Sequence, residues 1–253
     1  MTKFILLVAS FALALTLSPL NQAAAADSTT LKVGVSPVFP PVICKEGGQI
    51  VGIEADFAQE LGKELGRSVQ FVELPWEDQI PALADGRIDI IMSGMSITRA
   101  RELRVSFTKP YLGIGQMPLV RREDASKYAF GFPSRTDAAI GVIKATTGDF
   151  LVQQEFPKNK RKDYKTGEDA AKALMKKRID IFICDAPTVW WLAGTHEADG
   201  LVTVSVLLTD ESLAWGVRRS DSALLDSVNR ALDKMQKSGR ANQILKHWLP
   251  LSK

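Results

Sequence analysis

The chain has 253 residues, 24% of them charged, with a formal net charge of +3 and a mean hydropathy of −0.01. So even a balance gives no support for nucleic-acid binding or for a polybasic membrane-surface patch. Two cysteines and two histidines form no metal-ligand spacing, so neither a metal nor a cofactor is expected.

Residues 1–26 do not read as part of the fold. Lys3 precedes an apolar run from Phe4 to Leu17, and Ala23 to Ala26 supply small residues for cleavage, the pattern of a secretory signal peptide. The run is short for a membrane span and ends at Pro19 without a stop-transfer pattern. What remains has 31 basic against 29 acidic residues and is long enough for one large domain or two lobes. Export would permit a disulfide between Cys44 and Cys184, but spacing cannot establish one. Two buried free thiols in different lobes are the expectation.

In chain order, Leu31 to Val35 alternates as a first strand and stops in a loop stiffened by Pro37, Pro40 and Pro41. A turn at Gly47-Gly48 follows, then a helix carrying Phe57, Ala58, Leu61 and Leu65 at helical spacing and ending at Gly66. Val69 to Val72 is a second strand, Trp76 lies in a loop, and a helix from Gln79 to Leu83 stops at Gly86. Ile88 to Met92 is a buried strand. The order β-α-β-α-β implies a parallel sheet covered by helices. A second unit begins near Val120, with strands at Ile140–Ile143, Ile179–Cys184 and Val202–Leu208. It has helices from about Asp149 and, capped by Thr166, up to Lys177. The Arg121-Arg122 and Lys158 to Lys162 clusters read as solvated faces. Amphipathic helices from Ser222 to Gly239 and from Ile244 to Leu249 close the chain.

Ala82 to Ile90 is echoed by Ala173 to Ile181 at an offset of 91, which carries Gly94 onto Asp185. Both positions fall at the carboxyl ends of strands, where open α/β sheets bind ligands. The expected architecture is therefore two α/β lobes joined by two crossing hinge strands. Lobe 1 takes 27–119 and a return segment at 214–253, and lobe 2 takes 120–213.

The segment Ser93 to Arg101 breaks a local rule. Thr98 is a helix N-cap candidate, yet Arg99 and Arg101 follow in the first turn, against the helix dipole. Arg99 reads as solvated. Arg101, at the mouth of a strand–turn–helix corner, is placed to grip a carboxylate through two parallel hydrogen bonds.

These stretches, with Phe39-Pro40-Pro41, Gly52 to Ala58, Phe107 to Tyr111 and Gly141 to Thr147, resemble the bacterial extracellular solute-binding proteins that serve ABC importers of polar amino acids. The resemblance covers nearly all of the mature chain and implies the periplasmic-binding-protein-like α/β fold of type II. It implies that Arg101 binds a ligand carboxylate, helped by Ser96 and by Thr146-Thr147. It gives the α-amino group to Asp185 and the Gly94 carbonyl, and makes Phe39 and Trp76 aromatic walls. Core packing is the expectation for Trp190, Trp191, Trp215 and Trp248. Two departures stand out: Ala145 where the family has glycine, and Ser36 where members taking cationic ligands carry an acid. Glu54, Glu77 and Asp78 could substitute or be surface charges, and Lys144 could favour an acidic side chain, so the ligand's side chain stays open.

The implied function is capture of a free amino acid, by a periplasmic monomer that is not an enzyme, for delivery to an inner-membrane permease. An alternative on the same scaffold is a cyclohexadienyl (prephenate or arogenate) dehydratase. That would need a proton donor, and no second carboxylate visibly converges with Asp185 in the sequence.

Overall fold

The computed structural model describes residues 29–129 and 137–249, so the expected signal peptide lies outside the described residues. Lobe 1 begins with β1 (Thr30–Val35), the hairpin β2 (Cys44–Glu46) and β3 (Gln49–Val51), α1 (Ile53–Leu65) and β4 (Ser68–Glu73). It continues through α2 (Gln79–Ala84), β5 (Ile90–Ile91), α3 (Arg99–Glu102) and β6 (Ser106–Phe107), and the chain leaves along β7 (Leu112–Ile114). Lobe 2 runs β8 (Gln116–Arg121), α4 (Ala125–Ala129), β9 (Ala139–Ile143), α5 (Thr147–Glu155) and β10 (Lys160–Tyr164). It ends with α6 (Gly167–Met175), β11 (Ile181–Asp185), α7 (Ala186–Thr195) and β12 (Leu201–Thr203). The chain returns along β13 (Glu211–Leu213) and adds β14 (Gly216–Val217), α8 (Ser222–Lys237) and α9 (Arg240–Trp248).

The two sheets have orders β4-β1-β5-β14-β6 and β10-β9-β11-β8-β12. In each, three parallel strands are followed by a fourth that pairs antiparallel with both of its neighbours. The fourth strand of each sheet is the segment that has just arrived from the other lobe. The two crossings pair antiparallel, Leu112 opposite Leu213 and Ile114 opposite Glu211. Helices α8 and α9 have no sheet of their own and pack on α1, where Trp248 Nε1 donates to Asp56 at 2.8 Å.

The internal repeat extends to single hydrogen bonds. Arg87 N donates to the Ala82 carbonyl and Arg178 N to the Ala173 carbonyl, both at 2.9 Å. Gly86 and Lys177, equivalent in the repeat, both turn left-handed, with φ of 74° and 54°. Asp89 accepts from Lys32 N and Asp180 from Ala139 N, again both at 2.9 Å. A buried-side arginine completes each copy: Arg218 donates to the Ile88 carbonyl and Arg121 to the Ile179 carbonyl, both at 2.6 Å.

Several local expectations need correction. Arg121 is not a solvated residue; its side chain is 11% exposed and ties β8 to Asp124 and Asp180. Lys160–Tyr164 is an edge strand, although its charges hid any apolar alternation. Arg161 there pairs with Asp163 at 2.7 Å and with Asp149. Of the expected Val202–Leu208 strand only Val202 and Thr203 fall within β12, and of Ile88–Met92 only Ile90 and Ile91 fall within β5. Trp190 and Trp191 are 44% and 38% exposed rather than core, because α7 buries the face carrying Val189 and Leu192. Trp215 is fully buried. Cys44 and Cys184 are free, buried, and lie on strands of different lobes.

Candidate functional site

The lobe 1 side of the cleft is the turn after β5. Gly94 adopts φ 67°, which an L side chain reaches only with strain, and its N–H donates to Glu54 Oε2 at 2.6 Å. Glu54 belongs to the apolar stripe of α1 and is fully buried, so its reading as a surface charge is overturned. Glu77 and Asp78 are exposed. Tyr111 Oη lies 2.6 Å from the other Glu54 oxygen. The Trp215 indole N–H is near the same carboxyl without making a hydrogen bond of normal geometry. Burial pushes Glu54 up to about 8, against the lowering effect of the Tyr111, Gly94 and Trp215 donors.

Because the folded value lies above the ordinary carboxyl range, this group favours folding fully in acid. That stability is lost as pH rises through about 8. Glu54→Ala is expected to cost about 2–4 kcal/mol in urea unfolding, by leaving a cavity and unpaired Gly94 and Tyr111 groups. Glu54→Gln should fold and flatten the pH dependence of stability between about 5 and 8. An unchanged slope in that variant would assign the dependence to another group.

Further along the turn, Ser93 Oγ accepts from Ser36 N at 2.7 Å, and Ser96 pairs with Leu213 in an isolated bridge. Thr98 caps α3, its hydroxyl accepting from Arg101 N at 3.2 Å. The cap turns the Arg101 side chain inward, where it is 8% exposed, while Arg99 is exposed as expected. Arg101 Nη1 donates to the Ser96 carbonyl at 2.9 Å, and the guanidinium carbon stands 5.2 Å from the Trp76 ring centroid. Burial lowers the Arg101 pKa, opposed by the charges of Asp185 and Glu211.

The lobe 2 side starts at the α5 N-terminus. Thr146 Oγ1 donates to the Ile143 carbonyl at 2.7 Å and accepts from Asp149 N at 3.3 Å. That hydroxyl serves as a helix cap, its one hydrogen given to Ile143. Thr147 Oγ1 instead accepts from Gln116 Nε2 at 3.1 Å. The same nitrogen lies 2.6 Å from Asp185 Oδ1 and 3.1 Å from Glu211 Oε1. An amide NH2 has only two hydrogens for these three oxygens. Glu211 Oε1 also accepts from Thr209 Oγ1 at 2.7 Å, while Glu211 Oε2 is buried with no partner among the described residues. Burial raises Asp185 to about 7; Gln116 lowers it, Glu211 raises it, and Arg101 lowers it. A second carboxylate therefore does converge with Asp185, contrary to the sequence expectation.

The lobes meet at Trp76, whose Nε1 donates to the Ala145 carbonyl at 2.9 Å. Ala145 holds φ 62°, a left-handed conformation rare for a residue with a Cβ. Phe39 is buried and meets Trp76 edge-on at 5.5 Å. A cavity of 780 Å³ opens on the Arg101 side of Trp76, with Thr147 and Glu211 in its wall, and one of 850 Å³ on the Ser36 side.

Of the residues expected at the site, Trp76, Arg101 and Thr147 line the 780 Å³ cavity, Ser96 holds the Arg101 guanidinium, and Asp185 meets Thr147 at the Gln116 amide. Phe39 packs edge-on against Trp76, Gly94 is tied to Glu54, and the Thr146 hydroxyl caps α5. Gln116 and Glu211 were missed, and Glu54, offered as a substitute acid or a surface charge, is instead the buried partner of Gly94 and Tyr111. Glu54 left a legible signal, an acid on the stripe of Phe57, Ala58 and Leu61. Gln116 left a weaker one, a polar residue heading the run Met117 to Val120. Among the described residues no three His, Cys, Asp or Glu are grouped to hold a metal ion.

Residues 31–251 match the model of the bacterial extracellular solute-binding proteins, family 3. The chain belongs to that family. Among curated family 3 relatives, the ABC transporter arginine-binding protein 1 of Escherichia coli (strain K12) is 29% identical, over 89% of this chain and 93% of the relative. The histidine-binding periplasmic protein of the same strain is 27% identical over 96% of both. Among solved structures, the ancestral amino acid-binding protein AncCDT-1, a precursor of cyclohexadienyl dehydratase, is 33% identical with a TM-score of 0.80. That match covers 87% of this chain and 95% of the ancestral one. A putative binding component of an ABC transporter from Wolinella succinogenes, solved with lysine, has the same TM-score at 27% identity, covering 87% and 95%. The family 3 architecture of two α/β lobes is the one described above.

Proposed function

We propose that the protein is a periplasmic, monomeric binding component that captures a free polar amino acid between its lobes and presents it to the permease of an ABC importer. The observation that carries this reading is the Arg101 guanidinium, buried at 8% exposure and braced by Ser96 and Trp76, with Asp185 and Glu211 acting on it across the cleft. A zwitterion matches that charge layout: its carboxylate to Arg101, Ser96 and Thr147, its ammonium to Asp185 and the Gly94 carbonyl. The names of the relatives point to the same ligand class. The leader at 1–26 would direct export, and among the described residues no helix is long and apolar enough to cross a membrane.

A thermal-shift screen of the twenty amino acids tests the assignment, since a ligand stabilises the state it binds by mass action. At least one amino acid should raise the melting temperature; a flat screen would refute it. The ligand should also shrink the radius of gyration in small-angle scattering, because contacts from both lobes make closure favourable. An unchanged radius with a saturated site would separate binding from closure.

Glu211 beside Asp185 gives the dehydratase reading one observation in its favour, a paired acid in a closed site. Binding is the stronger reading, because Asp185 and Glu211 are both engaged by Gln116. Incubation with prephenate and arogenate should yield no aromatic product, and turnover would reverse the order.

A further inference from the structure

The 850 Å³ chamber on the Ser36 side of Trp76 adjoins the head-group site on both lobes. On lobe 1, Ser36 N is bonded to Ser93, the residue before Gly94. On lobe 2, Ile143 and Lys144 line it and lead directly into Ala145 to Thr147. Trp76 forms the partition, since it also lines the cavity holding Arg101. A ligand whose charged head lies between Arg101 and Asp185 would therefore send its side chain past Trp76 into this chamber.

The charges there are unequally committed. Glu73 is taken by Lys45, at 2.7 and 3.0 Å, and Asp163 by Arg161 at 2.7 Å. Lys144 and Lys165 have no hydrogen bond or ion pair among the described residues, and the exposed Glu77 is the one acid in the lining equally uncommitted. Ser36, at 4% exposure, offers a hydroxyl and no charge. Against one uncommitted acid stand two uncommitted cations, so the free charge of the lining is net positive and suits an entering carboxylate better than an ammonium or guanidinium. Tyr164 adds a half-buried phenol to the same wall.

We propose that this chamber is the side-chain subsite and that it selects an anionic terminus, making the ligand an α-amino dicarboxylate rather than a cationic amino acid. The inference rests on the head-group reading above. It sets this chain apart from its relatives named for arginine and histidine.

Calorimetry on the leaderless protein, with L-glutamate, L-aspartate, L-2-aminoadipate, L-arginine, L-lysine and L-histidine as probes, tests it. At least one dicarboxylate should bind about tenfold or more tighter than any of the three cations, and its affinity should fall as salt is raised. Lys144→Glu/Lys165→Glu changes two exposed, unpaired side chains and should leave folding intact. It should weaken the dicarboxylates about tenfold and reverse the order of preference. Tighter binding of arginine, lysine or histidine by the native chain, or an unchanged order in the double variant, would overturn the subsite while leaving amino-acid capture standing. Failure of every amino acid to bind would remove the head-group reading first, and this inference with it.

Discussion

Replacing Arg101 with alanine is expected to raise the dissociation constant for the captured amino acid by about a thousandfold in calorimetry. Two charge-assisted hydrogen bonds to a carboxylate contribute about 1.5–3 kcal/mol each, and the arginine fork supplies both at once. Together that is about 3–6 kcal/mol, and a thousandfold corresponds to about 4 kcal/mol. The effect is this large because the guanidinium is buried, oriented by the Ser96 carbonyl and held over the Trp76 ring by the protein itself. Arg101→Lys keeps the charge but not the planar fork or the stacking, so it should still lose about tenfold or more. Native affinity in the alanine variant would mean that the carboxylate is held elsewhere. Melting of the empty variants, compared with the native chain, separates lost recognition from lost folding.

The second large effect is a dependence on pH carried by Asp185. With its folded value near 7, the carboxyl of the empty site is largely protonated in mild acid and ionised in mild base. An ammonium ligand favours the ionised form, so binding releases a proton below about 7 and none well above it. The dissociation constant should then rise about tenfold for each unit that the pH falls below that point, and level off above it. Asp185→Asn should bind zwitterions weakly at every pH and abolish the slope. It should cost an analogue without the amino group much less. A flat profile in the native protein would show that Asp185 is ionised before the ligand enters, or that the ammonium lies elsewhere.

Much of this was legible in the chain because the controlling features are periodic or local. The stripe Phe57, Ala58, Leu61 and Leu65 defines α1, Thr98 and Thr166 cap helices by short-range hydrogen bonds, and the repeat of Ala82 to Ile90 announces a second lobe. Arg101 stood out because it opposes a dipole rule. Glu211 did not, because its partners Gln116 and Asp185 are distant in sequence and meet only where crossing strands bring them together. Thr146 and Thr147 look interchangeable in sequence; backbone geometry alone turns one hydroxyl to Ile143 and the other to Gln116. Lys160–Tyr164 was hidden for the opposite reason, since an edge strand facing water needs no apolar alternation to pair with β9.

The indole of Trp76, on lobe 1, reaches the Ala145 carbonyl on lobe 2. Part of the work of shutting is therefore done by the polypeptide itself, through a direct bond from one jaw to the other. Entry of cargo must wait for that clasp to part, so the opening rate places a ceiling on capture at high supply.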